Sequence, residues 1–261
     1  MKAVFSDMDG TLLSSEHVMT ARTRNTLSAL HDRGIPVVFA SGRAYDGMLR
    51  LLETLPFTPF MATLNGAYII DGKRRPIASF PLASADLLRI SDAVRKLSLS
   101  YLFFYGEHWG ADADNHFYRN ERSIVGVPGL IGRLEKLAPV NEIHKVIAAG
   151  EPDAISKALP VLCSELSGLS VSRSSPNYIE INRGGINKGK ALGIIADYLG
   201  IRTEDTIAFG DYDNDIEMLE MAGDGVAMAN SSPAVLSRIS RRTLSNDEDG
   251  VAVFLGKYFK I

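Results

Sequence analysis

Apolar residues in this chain fall into short unbroken runs, separated by stretches where they recur every third or fourth position. The short runs are Ala3-Val4-Phe5, Ile35-Pro36-Val37-Val38-Phe39-Ala40, Phe60-Met61-Ala62-Thr63-Leu64 and Thr206-Ile207-Ala208-Phe209. Near-continuous runs of this length predict strands covered on both faces, as in a parallel sheet. Between the first two, Thr20 to Arg33 predicts a helix, with Thr20 as N-cap, Leu27 and Leu30 on one face and Gly34 as the stop. Another helical segment runs from after Arg43 to about Leu55. Strand, polar terminus, helix and strand in that order predict an α/β protein with a doubly wound parallel sheet.

The pattern changes after Leu64. Tyr68-Ile69-Ile70 and Pro76-Ile77-Ala78 flank Asp71-Gly72 and predict a hairpin, because Asp-Gly suits a tight primed turn. From about Leu82 to Asn182, helical and alternating stretches mix. Leu87, Ile90, Val94 and Leu97 recur at helical spacing, as does the stretch from Ala154 to Leu166. Tyr101–Tyr105, Ile143–Ala148, Leu169–Ser172 and Tyr178–Ile181 predict strands, and Tyr105 to Gly110 reads as irregular. This stretch is expected to be an inserted domain over 82–182, leaving 1–81 and 183–261 as one core. The wound pattern then resumes. Lys188 opens a helix through Leu192, Ile195 and Leu199, Thr206–Phe209 is a strand, and Gly225–Ala229 is another before a helix capped by Ser232-Pro233. Gly250 to Tyr258 is a final helix.

Polar residues collect where the predicted core strands end. The first ends in Asp7-Met8-Asp9-Gly10-Thr11, the second in Ser41-Gly42-Arg43, the third in Asn65-Gly66, and the Thr206–Phe209 strand in Gly210-Asp211-Tyr212-Asp213-Asn214-Asp215. An acidic turn alone reads equally as ordinary turn chemistry or as a cation site. Lys188 sits at a helix N-terminus, against the sign of the dipole there. It reads either as a solvated lysine or as one answering a nearby anion. A calcium loop over Asp211, Asp213 and Asp215 would need Gly at its sixth position and Glu at its twelfth. Ile216 and Ala222 stand there, which excludes it.

Composition narrows the function classes. The chain has 261 residues, of which 46% are hydrophobic and 23% charged, enough for a core plus an insertion. A net charge of −3, with no basic run beyond Arg74-Arg75 and Arg241-Arg242, argues against a nucleic-acid partner. The one cysteine, Cys163, excludes an internal disulfide and is expected to be a packed core thiol among Leu159, Leu162 and Leu166. No stretch has the apolar length to span a bilayer, and the start of the chain shows no secretory signal, so a cytoplasmic location without a membrane partner is expected.

In a wound parallel sheet the strand ends converge on one edge. Four acids and a lysine there suit a hard cation such as magnesium, with a hydroxyl, a glycine amide and the lysine as donors to a phosphate. Phosphoryl transfer asks for such positioning and neutralisation, with one carboxylate free to act as nucleophile and another as acid and base. These segments, together with Asn187-Lys188-Gly189-Lys190-Ala191-Leu192, resemble the signatures of haloacid-dehalogenase-superfamily phosphatases over essentially the whole chain. The large insertion between the serine and lysine motifs resembles the Cof-type branch. The resemblance implies a Rossmann-like core with an α/β cap. It makes Asp7 the nucleophile and Asp9 the acid and base. Magnesium would be held by the Asp7 carboxylate, the Asp9 backbone carbonyl and Asp211. Ser41 and the amides of Met8 and Gly42 would hold the phosphoryl group, with Lys188 bridging it to Asp7. Asn214 would lie beside the phosphate and Asp215 behind the metal's direct ligands.

The expected activity is hydrolysis of a small phosphorylated metabolite through an aspartyl-phosphate, a sugar phosphate first, with pyridoxal phosphate or flavin mononucleotide as alternatives. A phosphomutase or a non-catalytic phosphate sensor are the rival functions. Arg43, Asn65 and Trp109 are candidate substrate contacts, with packing inside the insertion as the competing role for Trp109. The sequence leaves the oligomeric state open.

Overall fold

The computed structural model describes residues 2–137 and 142–261. In chain order the strands are β1 (Ala3–Ser6), β2 (Val37–Ala40), β3 (Phe60–Thr63), β4 (Tyr68–Ile70) and β5 (Pro76–Ser79). They continue as β6 (Ser100–Tyr105), β7 (His108–Ala111), β8 (Leu130–Ile131), β9 (Lys145–Ala149), β10 (Leu169–Ser175), β11 (Tyr178–Arg183), β12 (Thr206–Gly210) and β13 (Asp224–Ala227). The chain divides into two compact units. One holds the residues up to Arg43, Met48–Ala78 and Asn187–Ile261, and the other holds Ala44–Gly47 and Ser79–Ile186.

The first unit is built on a sheet of order β13-β12-β1-β2-β3-β4-β5. Strands β13, β12, β1, β2 and β3 run parallel, and β4 returns antiparallel to β3. Every residue of β1, β2 and β12 is buried, as continuous apolar runs covered on both faces require. The order steps outward from β1 in both directions, through β2 on one side and β12 on the other. That arrangement opens a crevice at the carboxyl ends of the central strands. Helix Ala21–Asp32 begins where the sequence places it, with the Thr20 hydroxyl accepting the Thr23 amide.

The hairpin between β4 and β5 forms with a different turn from the one the sequence suggests. Arg74, not Gly72, takes the left-handed conformation (φ 60°). The Asp71 carboxylate accepts the amides of Lys73 and Arg75, both at 2.8 Å, and so holds the turn from inside.

In the second unit the sheet runs β10-β11-β9-β6-β7-β8, antiparallel except for the β7–β8 pair. Helices Ser84–Lys96 and Pro152–Glu165 bury Leu87, Ile90 and Val94, and Ile155, Ala158 and Leu162, in a core shared with Phe103, Val146, Ile179 and Ile181. Two expectations fail here. Cys163 is exposed, because the buried face of its helix passes through Ile155, Ala158 and Leu162 and leaves position 163 one step off it. Tyr105 to Gly110 is a regular hairpin between β6 and β7, with Phe104 opposite Trp109. Gly110 looks like a loop residue, yet a Cβ there would run into the Phe103 ring and the Leu130 carbonyl, so the strand needs glycine. His116, Tyr118 and Asn120 belong to helix His116–Val125.

Candidate active site

The carboxyl ends of β1, β2, β3 and β12 bring four loops together. Asp7 follows β1, its amide donating to the Phe209 carbonyl of β12 at 3.0 Å. Between them stands Lys188, the first residue of helix Lys188–Leu199, whose N-cap Asn187 accepts the Lys190 amide at 2.8 Å. Its ammonium is 1% exposed and donates to Asp7 Oδ1 and Asp215 Oδ1, each at 2.6 Å. A buried cation needs such partners, so this lysine answers two anions, not the helix. Asp215 has both oxygens committed, since Oδ2 accepts the amides of Asp211 and Tyr212 at 3.0 Å.

Asp211 accepts the Thr11 hydroxyl at 2.6 Å. Gly10 beside it has φ 76°, and a Cβ at that position would fall inside the Asp211 carboxylate. Glycine is therefore what lets the β1 and β12 loops close on each other. Asp9 is held on the other side. Arg43 Nε and Nη2 donate to its two oxygens at 2.7 and 2.6 Å, and His17 Nδ1 lies 3.1 Å from Oδ1. Ser41 is buried, its hydroxyl accepting the Arg43 amide at 3.2 Å and its carbonyl the Asn65 amide at 2.8 Å. Asn65 is left-handed (φ 58°), and its Oδ1 accepts from Asn214 Nδ2 at 3.2 Å. Gly42 lies against the Asn65 side chain. The buried Met8 uses its carbonyl to accept the amides of Leu12 and Leu13.

The electrostatics are those of an undercompensated pocket. Burial and the nearby Asp215 push the Asp7 carboxyl well above the ordinary range, and Lys188 offsets only part of this. Burial also pushes Asp211 up to about 6, against the Thr11 hydrogen bond and with help from Asp215. Lys188 is pulled down by burial but raised further by Asp215 and Asp7, so it stays charged. At Asp9, burial pushes upward and Arg43 with His17 outweighs it, leaving the carboxyl below its ordinary value. Carboxylate oxygens of Asp7, Asp211 and Asp215 lie within 4.8 Å of one another. Three acids so close, sharing one ammonium, fit a hard divalent cation with oxygen ligands.

The sequence-derived residues thus gather at one sheet edge, with one exception in another unit. Trp109 belongs to the second unit. There its ring is 2% exposed and stacks on Tyr118 at 5.1 Å, and its indole N–H donates to the Val127 carbonyl at 3.1 Å. Two residues with no role read from the sequence also touch the site, Thr11 with its hydroxyl on Asp211 and His17 with its ring on Asp9. Thr11 had a signal in its place beside Gly10. His17, a left-handed non-glycine residue (φ 58°), had none.

The profile of the haloacid dehalogenase-like hydrolases matches residues 4–255. The chain belongs to that family. It is a phosphatase of the Cof-type branch, a phosphoric monoester hydrolase. A Bacillus subtilis relative, the 5-amino-6-(5-phospho-D-ribitylamino)uracil phosphatase YitU, is 33% identical over 269 residues, covering 98% of this chain and 96% of its own length. The HMP-PP phosphatase of Cronobacter sakazakii is 31% identical over 238 residues, covering 89% and 86%. The crystal structure of a haloacid dehalogenase-like hydrolase from Bacteroides thetaiotaomicron matches with a TM-score of 0.90 at 29% identity, over 99% of each chain. Among the described residues no helix is long and apolar enough to cross a membrane.

Proposed function

We propose that this phosphatase hydrolyses a small phosphorylated metabolite in a magnesium-dependent reaction, with Asp7 as nucleophile and a sugar or sugar-alcohol phosphate as the first substrate class. The observation that carries the reading is the buried Lys188, which holds Asp7 by Oδ1 alone and by Oδ2 not at all. The ammonium aims the carboxylate and leaves its second oxygen for attack on phosphorus. That oxygen bonds to phosphorus as the bond to the leaving oxygen breaks, and Asp9 gives that oxygen its proton. Asp9 then takes a proton from water, the water oxygen attacks the aspartyl-phosphate, and Asp7 and inorganic phosphate are released.

Arg43 and His17 keep Asp9 ionised in the arrangement seen, which suits the second step. For the first, Arg43 has to release the carboxylate so that it can carry a proton. Ser41 and the amides of Met8 and Gly42 are the donors for the phosphoryl oxygens, with Asn65 and Asn214 beside them. Magnesium would be held by Asp7, Asp211 and the Asp9 carbonyl, with Asp215 outside because both its oxygens are taken. The ion supplies neutralisation of the transferring group's charge. YitU, whose named substrate carries a phosphoribityl arm, supports the sugar-alcohol class.

The test is phosphate release from an aryl phosphate and then from a panel of phosphorylated metabolites, with and without magnesium, ranked by kcat/KM. Release without added magnesium after chelation removes the metal part of the reading. A flat ranking across sugar, sugar-alcohol, pyridoxal and flavin phosphates removes the substrate class.

A further inference from the structure

The opposite edge of the core sheet, at the amino ends of its parallel strands, carries a second concentration of unusual chemistry. Two clefts of about 400 and 240 Å³ lie there and share the wall Phe57-Thr58-Pro59. Two aromatic pairs line the larger one. His31 and Phe57 stack face to face at 4.2 Å and 4°, and Phe60 meets Tyr198 edge-on at 6.1 Å. Tyr198 is 49% exposed, a large aromatic surface left open to water.

Above this wall stands the β4–β5 turn, Gly72-Lys73-Arg74-Arg75, three consecutive cations that the catalytic chemistry does not use. The turn is fixed rigidly. Asp71 is buried and accepts the amides of Lys73 and Arg75, Arg75 Nε at 2.8 Å and the Tyr198 hydroxyl at 3.1 Å. Arg75 Nη2 also donates to the Tyr198 hydroxyl at 3.2 Å. Burial pushes the Asp71 carboxyl up, but these donors outweigh it and hold it at about 2. The turn therefore keeps its shape and charge throughout the neutral range.

Asp71 neutralises Arg75, and Arg74 lines the smaller cleft instead of the larger one. This leaves Lys73 on the rim of the larger cleft, its ammonium without a partner among the described residues. An aromatic-walled cleft with one cation in excess is complementary to a flat, singly charged anion. At about 400 Å³ it stands near the small end of ligand pockets, room for one or two fused rings.

We propose that this edge of the sheet is a second binding site, for a planar aromatic monoanion whose ring lies along Phe57, Phe60 and Tyr198 and whose charged group meets Lys73. It lies on the sheet edge away from Asp7 and Lys188, so its ligand and the phosphorylated substrate bind together.

The probe is 1-naphthalenesulfonate, which no phosphatase can turn over, titrated into the full chain by calorimetry and ligand-observed NMR. Saturable one-to-one binding is expected, weakened roughly tenfold by Lys73→Glu, and unchanged by saturating magnesium and inorganic phosphate. The cationic analogue 1-naphthylmethylammonium should show the reverse, binding Lys73→Glu more tightly than the parent chain. Lys73→Glu should leave kcat/KM for an aryl phosphate unchanged, which also shows that the variant folds. Absence of saturable binding, indifference to the charge reversal, or displacement by phosphate would each overturn the proposal.

Discussion

Two buried aspartates at opposite edges of one sheet behave in opposite ways. Asp71 meets two amides, a guanidinium and a hydroxyl, and its carboxyl is held at about 2. Asp7 meets one ammonium, which it shares with Asp215, and its carboxyl is pushed well above the ordinary range. Burial is common to both, so burial alone says nothing about role. What separates them is the number of donors per carboxylate. A carboxylate whose lone pairs are all taken serves the backbone around it. One that is short of donors and crowded by other acids is a functional candidate, poised to take a cation or to attack.

Exchanging the carboxyl for an amide at each edge is the sharpest way to break this comparison. Asp7→Asn should lower phosphatase turnover by about 10⁴-fold or more, while relieving acid crowding and leaving the thermal midpoint unchanged or raised. Substantial residual turnover in a clean preparation would show that Asp7 is not the nucleophile. Lys188→Met comes next. It should abolish turnover and also cost the core about 3–5 kcal/mol, because Asp7 and Asp215 lose their one buried cation. Denaturant titration with and without magnesium measures this, and added magnesium should recover part of the loss. A variant as stable as the parent would mean that the acids are already neutral.

Asp71→Asn should do the reverse of Asp7→Asn. It should cost about 1–3 kcal/mol through donors left unsatisfied and leave kcat/KM for an aryl phosphate unchanged. A catalytic loss without destabilisation would undo the contrast between the two edges.

The smallest effect is the dependence on pH. Asp71 lies below its unfolded value, so its contribution is full above about pH 4 and is lost as pH falls toward 2. Asp211 lies above its unfolded value, at about 6, so without metal its ionisation weakens the fold, and this is relieved as pH falls from about 6 toward 4. Magnesium competes with that proton, so the magnesium requirement for activity should rise below about pH 6. In Asp211→Asn the requirement should be higher at every pH and rise less steeply below about pH 6, the rest of the dependence staying with Asp7, as metal titrations at several pH values would show.

The site was legible to the extent that it lies at strand ends. Asp7, Asp9, Ser41 and Asp211 each follow an apolar run that could hardly be anything but a buried strand, and the position of Lys188 against the helix dipole pointed to an anion. What a side chain touches across the fold was much less legible. Arg43 read as a candidate substrate contact, and its ion pair with Asp9, 34 residues away, was not read. His17, left-handed in its backbone, lies beside Asp9 from a loop in which no local pattern marks it. Asp71 read as a turn former, and one of the donors to its carboxylate, Tyr198, stands 127 residues further along the chain. In the second unit, β7 is four residues long and holds a glycine required by packing, so alternation had too little length to show. Cys163 was misplaced by one helical position, a 100° rotation that separates core from solvent.

The sealed position of Trp109 has a practical side. It is the only tryptophan in the chain, and it lies within the second unit, stacked on Tyr118 and shut away from water. Its emission is therefore an optical label attached by nature to one half of the molecule. Far-ultraviolet circular dichroism sums helices and strands from both halves. A denaturant titration followed by the two signals together asks whether the halves melt as one cooperative body or in turn, with no dye, tag or added residue.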